Sequence, residues 1–145
     1  SELFNPEVVS HFGSAAKEIE EAGKCFVCGR YTASVFHLMR VLELGLRSLG
    51  RSLNDPALFP LKNRSWEAIL KKCDTQLGKH YTQQCPEWQA DPVFFATVTA
   101  NLRAVKDAWR NPTMHVDIDY DEEKATDVWS AVRGFMRHLS TKLHG

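Results

Sequence analysis

The sequence predicts an all-α protein, an up-and-down four-helix bundle with one additional short helix, in a single domain over residues 1–145. Apolar residues recur at three- and four-residue spacing along most of the chain, and no stretch sustains the alternation of a half-buried strand. Caps and breakers fall between the periodic segments, and there is no internal repeat or low-complexity run. A chain of 145 residues buries roughly two-thirds of its unfolded surface, so the fold requires no disulfide or metal staple.

The first helix opens at Asn5-Pro6, a cap followed by a first-turn proline, and carries Val8, Phe12, Ala15, Ile19 and Ala22 on one face until Gly23 stops it. The second runs from about Tyr31 to Leu49 and is closed by Gly50. Its stripe of Val35, Leu38, Met39, Leu42, Leu46 and Leu49 faces a back that also holds Phe36, which predicts cover on more than one side. Asn54-Asp55-Pro56 and Pro60 mark a loop. A short helix follows from Ser65, with Trp66, Ile69, Leu70, Cys73 and Leu77 inward, and residues 78–91 read as a connector. Asp91-Pro92 opens a strong helix in which Phe95, Val98, Leu102, Val105 and Trp109 align, ended by Asn111-Pro112 because the residue before proline is pushed out of the α region. The last helix begins with Asp119 as cap and Glu122 three residues on, a capping box, and then shows an inward stripe from Ala125 to Leu143. Trp109 and Trp129 lie on core stripes and read as packing residues.

Composition narrows the function. Eighteen basic residues balance eighteen acidic ones, so the chain does not coat nucleic acid through bulk charge, and any such contact must come from a local site. No apolar run approaches the ~20 residues that span a bilayer. The amino terminus lacks the basic and apolar regions of a signal peptide. These observations predict a soluble, cytoplasmic domain with no membrane partner; a chain starting on Ser1 is compatible with one domain of a longer protein. Cys25 and Cys28 form half of a zinc-ribbon pattern, but Cys73 and Cys85 stand apart, with His80 between them. Nothing in the spacing demands a metal, and the four residues read as reduced thiols that behave as small hydrophobes. Neither cofactor nor metal is expected.

The candidate site is Arg110-Asn111-Pro112-Thr113-Met114-His115. It sets a guanidinium at the end of one long helix and an imidazole in the loop before the next. Arginine offers a fixed fork of donors for phosphate oxygens, and histidine exchanges protons near neutral pH. Asp107, three residues before Arg110, is positioned to hold its guanidinium in one rotamer. Similar Arg/His spacing occurs at Arg30/His37, Arg133/His138 and Arg137/His144, all within or at the ends of predicted helices. Only Arg110/His115 straddles a proline-enforced break. A helix C-terminus accounts for an arginine by dipole alone, and a loop histidine can satisfy carbonyls, so spacing by itself leaves those readings open. His11, His37, His80, His138 and His144 read as surface or core-edge residues.

Arg110-Asn111-x-x-x-His115, between the last two helices of a small bundle, resembles the HEPN signature. The stretch from Gly29 to Glu43 resembles the second helix common in those proteins, and the similarity covers roughly residues 29–143, with the Trp66 helix and the connector after it poorly matched. The resemblance implies a four-helix bundle that dimerises and a metal-independent endoribonuclease, with toxin–antitoxin or other defence roles. It implies Arg110 and His115 as the catalytic pair and Asn111 as their polar neighbour. Glu43 is a supporting candidate, set against a surface ion pair with Arg40 or Arg47. Cleavage would use the ribose 2′-OH as nucleophile, leaving a 2′,3′-cyclic phosphate. One histidine does not serve both sides of an in-line displacement, which a homodimer pairing two sites resolves. The implied partners are RNA, a second copy, and an antitoxin or nucleotidyltransferase-like protein. The alternative is a non-catalytic helical dimerisation, interaction or RNA-binding module, motivated by Phe36 and Leu44 outside the main stripe.

Overall fold

The computed structural model describes residues 4–110 and 118–145. The protein is all-α. Among the described residues the α-helices are α1 (Pro6–His11), α2 (Ala16–Val27), α3 (Tyr31–Ser52), α4 (Trp66–Gly78), α5 (Pro86–Ala90), α6 (Pro92–Val105) and α7 (Glu122–Leu139).

Helix α3 is the hub, and its composition explains why. Val35, Leu38, Leu42, Leu46 and Leu49 are buried along one stripe, while Ser34, Val41, Gly45 and Ser48 are buried around the rest of the surface. Small residues there let neighbours approach closely, and α2, α7 and α4 all pack on α3. A Cβ on Gly45 would stand 2.9 Å from Leu139 Cδ2, which shows how near α7 comes. The hydroxyl of Ser34 ties three helices together: it donates to the Ala22 carbonyl at 2.7 Å and accepts from Trp129 Nε1 at 3.0 Å.

Several boundaries differ from the sequence expectations. The first helix is two helices, because the chain turns out of α geometry at Phe12 and forms a 3₁₀ turn over Gly13–Ala15. Gly23 does not stop α2; it is buried inside the helix. The stop is Gly29, whose φ of +75° is the left-handed conformation that a helix end favours. Gly50 likewise lies inside α3, and a Cβ there would meet Leu61 Cδ2 at 2.9 Å, so it serves close packing rather than termination. Helix α4 has 13 residues and starts where expected, with Ser65 Oγ accepting from Ala68 N at 3.1 Å as its cap.

The segment expected to be a bare connector holds α5, and its Trp88 is completely buried. The Trp88 ring stacks on Phe95 at 4.7 Å, and Nε1 donates to Ser52 Oγ at 2.9 Å. Asp91 caps α6 as expected, accepting from Phe94 N at 3.2 Å. The cap of α7 is Asp121, which accepts from Lys124 N at 2.8 Å, and not Asp119, which takes a hydrogen bond from Thr32 Oγ1 at 3.5 Å. Moving the cap by two residues makes Lys124 the third helical residue, so no capping box forms.

Candidate active site

Helix α6 does not end cleanly. Lys106–Arg110 form a π turn, a wider turn than the α-helix and one common at functional sites. It is held against α4 by ion pairs: Lys106 Nζ to Glu67 Oε2 at 3.2 Å, with Arg103, one turn earlier, bound to Asp74 and facing Glu67 at 3.8 Å. This staple brings the last residue of the turn, Arg110, over the first residue of α4. The guanidinium carbon of Arg110 lies 5.6 Å from the ring centroid of Trp66, within cation–π range.

Trp66 is buried, at 2% exposure, so its indole N–H needs a partner inside the protein. Glu43 of α3 supplies one, its Oε1 accepting from Trp66 Nε1 at 3.2 Å while Oε2 accepts from Arg47 at 3.4 Å. Arg110, Trp66 and Glu43 thus form one wall-to-wall set. They line a cleft of about 240 Å³ together with Phe36, Met39 and Arg40.

A second guanidinium therefore faces the same space. Arg40 is anchored through Nε to Glu18 Oε1 of α2 at 2.9 Å, and the other oxygen of Glu18 pairs with His37 Nδ1 at 2.8 Å. One carboxylate holds two potentially cationic groups at the α2–α3 seam. The Arg110 guanidinium offers a fixed fork of N–H donors that can grip a planar or tetrahedral oxyanion. The cleft sets two guanidiniums beside the Glu43 carboxylate, on a chain with no net charge.

The structure places Arg110 and Glu43 on one cleft. Of the two ion pairs weighed for Glu43, the one with Arg47 forms, and the carboxylate also accepts from the Trp66 indole. Asp107 does not hold Arg110. Its carboxylate is exposed and lies 3.8 Å from Lys106 Nζ, because the π turn takes residues three apart out of the α-helical alignment. Asn111 and His115 lie outside the described residues. Arg40, Trp66 and Phe36 were not singled out as site residues in the sequence. Arg40 and Phe36 lie on the non-core side of α3, where Phe36 was the visible irregularity.

The cysteines stay apart in role. Cys73 is buried in α4, and burial pushes its thiol up to about 12. Cys85 donates to the Ser52 carbonyl at 3.5 Å, and Cys28 is exposed at the end of α2. Among the described residues no group of three or more His, Cys, Asp or Glu is arranged to hold a metal, and no helix is long and apolar enough to cross a membrane. A larger groove of about 430 Å³ between α6 and α7 is lined by Ala104, Ala108, Gly134 and Phe135, and its titratable residue is His138, packed edge-on to Phe94 at 5.1 Å. It carries less chemistry than the smaller Arg110 cleft.

Set against family models, characterised proteins and solved structures, the chain finds no match in any of the three.

Proposed function

We propose that this protein is a metal-independent endoribonuclease of HEPN type, with the Arg110 cleft holding the scissile phosphate. The observation that carries the reading is the pair of guanidiniums on one small cleft: Arg110, steadied on Trp66, and Arg40, steadied by Glu18. Two oriented arginines suit the charge that develops on a phosphorane-like transition state. RNA supplies the nucleophile as its own 2′-OH. His115, five residues after Arg110 in the sequence, is the proton-transfer group, and Asn111 its polar neighbour. A homodimer joining two such clefts provides acid and base on opposite sides of the phosphorus. DNA lacks the 2′-OH and is bound without cleavage. A toxin or defence role, with an antitoxin or nucleotidyltransferase-like partner in the cytoplasm, is what the family resemblance adds.

One observation favours a second reading, a non-catalytic interaction module. Both oxygens of Glu43 and of Glu18 are already occupied within the chain, and Phe36 stands 39% exposed at the rim of the cleft. Incubation of the purified protein with single-stranded RNA in EDTA separates the two. The nuclease reading expects cleavage that His115→Ala abolishes while the helical circular-dichroism spectrum is kept. EDTA-sensitive cleavage, full activity in His115→Ala, or no cleavage by the wild type overturns it.

A further inference from the structure

A second cleft, of about 320 Å³, opens between the end of α3 and the C-terminal half of α4. Ten residues of helix separate Trp66 from Gln76, about 15 Å at the α-helical rise, so this cleft is distinct from the Arg110 site. Its room falls at the lower end of small-molecule sites, enough for one metabolite and not for a folded partner.

The notable group is Gln76. Its side chain is only 6% exposed, it lines this cleft, and its carbonyl oxygen accepts no hydrogen bond. Buried amides are almost always satisfied, and one that is not destabilises the fold. The terminal torsion of glutamine has a roughly two-fold preference, so the amide can turn either its donor or its acceptor to the cleft.

The rim differs from the floor. Lys72 pairs with Asp55 at 3.1 Å, which leaves Lys79, an exposed ammonium without an ion-pair partner among the described residues, to set the net charge of the mouth. Asp55 is committed elsewhere as well: it accepts from Ala57 N at 2.9 Å, and that bond together with Lys72 holds its carboxyl below the usual range. Leu53, Pro56 and Cys85 furnish the apolar part of the lining, beside the polar Asn54, Thr75 and Gln83.

A neutral carboxamide at the bottom, sides of mixed polarity and a cation at the mouth match a ligand with a flat hydrogen-bonding edge and an anionic tail. We propose that this cleft binds a nucleotide, with the base edge on the Gln76 amide and the phosphate at Lys79. The group that the carboxamide turns to the cleft, its N–H2 or its oxygen, makes one hydrogen bond to the base edge, and a lysine ammonium takes a phosphate as a point charge. The proposal stands independently of whether Arg110 cleaves RNA. The nucleotide is either a free monophosphate or one unit of a strand.

Calorimetric titration of the full chain with 5′-AMP tests it, with ribose 5-phosphate, adenosine and oligo(A) RNA as separate arms. Binding of AMP at least about tenfold tighter than of either half-molecule is expected, since both contacts contribute. Lys79→Ala, on the surface, weakens it by roughly tenfold. Gln76→Leu removes binding and raises the Tm by a few degrees, because it deletes an unpaired buried carbonyl oxygen. AMP without oligo(A) binding assigns a free nucleotide, and the converse assigns a strand. Ribose 5-phosphate binding as well as AMP, equal affinity in both variants, or a lowered Tm in Gln76→Leu overturns the proposal.

Discussion

Removing the Glu43 carboxylate tests whether it is a structural bracket for the cleft. In Glu43→Ala the indole N–H of Trp66 keeps its burial and loses its acceptor. An unsatisfied buried donor costs about 1–3 kcal/mol. The ion pair to Arg47, with side chains 29% and 37% exposed, adds only about 0.3–0.5 kcal/mol. The sum is about 2 kcal/mol, which in a chain of this size lowers Tm by roughly 4–8 °C. Glu43→Gln keeps a carbonyl oxygen for the indole and loses about half as much or less. Thermal unfolding followed by circular dichroism reads both, and an RNA cleavage assay at 25 °C reads function. A bracket predicts that Glu43→Gln cleaves within about threefold of wild type, whereas a group acting on substrate would cost two or more orders of magnitude. Glu43→Ala melting with wild type would show that the carboxylate does not hold Trp66. Glu43→Gln folded but inactive would show that it acts on the substrate.

Two further outcomes bear on the scaffold. Gly50→Val drives a branched side chain towards Leu61 and Ile69, already 2.9 and 3.4 Å from a Cβ, and costs about 1–3 kcal/mol by overpacking. Gly50→Ala is close to neutral, because about 1 kcal/mol of helix propensity offsets the squeeze; equal melting of Gly50→Val and wild type would refute the close approach. Cys73 predicts a specific alkaline weakness. Its folded thiol stays neutral up to about 12 while the unfolded one ionises near 9.0, so stability is unaffected below pH 9 and falls as pH rises towards 12, by up to about 4 kcal/mol. Denaturant unfolding at pH 8 and pH 10.5 should show a loss that Cys73→Ala largely removes, and an identical loss in both proteins would contradict the buried thiol.

The all-α class was legible because long stripes such as that of α3 repeat one spacing over 22 residues, more turns than chance apolar placement sustains. The glycines misled for a physical reason. A glycine can end a helix or admit a neighbour, and Gly50 does the second while Gly29, at positive φ, does the first. Sequence alone does not show which backbone is near. Trp88 was hidden because one tryptophan among Gln, Cys, Pro and Glu has no periodicity, although its burial against Phe95 and Ser52 fixes α5. At the site, Arg110 and Glu43 were readable as types in suggestive places. Their meeting depends on the π turn and the Lys106–Glu67 staple, and that turn is also what separates Asp107 from Arg110. Arg40 was overlooked because its anchor, Glu18, is 22 residues away in sequence.

The most direct test compares wild type, Arg110→Lys and Arg110→Ala on single-stranded RNA in EDTA, with the new ends identified by mass spectrometry. The account predicts 2′,3′-cyclic phosphate ends from the wild type. Both variants should lose roughly a hundredfold or more, because even a lysine, which keeps the charge, forfeits the fork of donors. Cleavage by Arg110→Ala at the wild-type rate, or 3′-hydroxyl ends from the wild type, would contradict it.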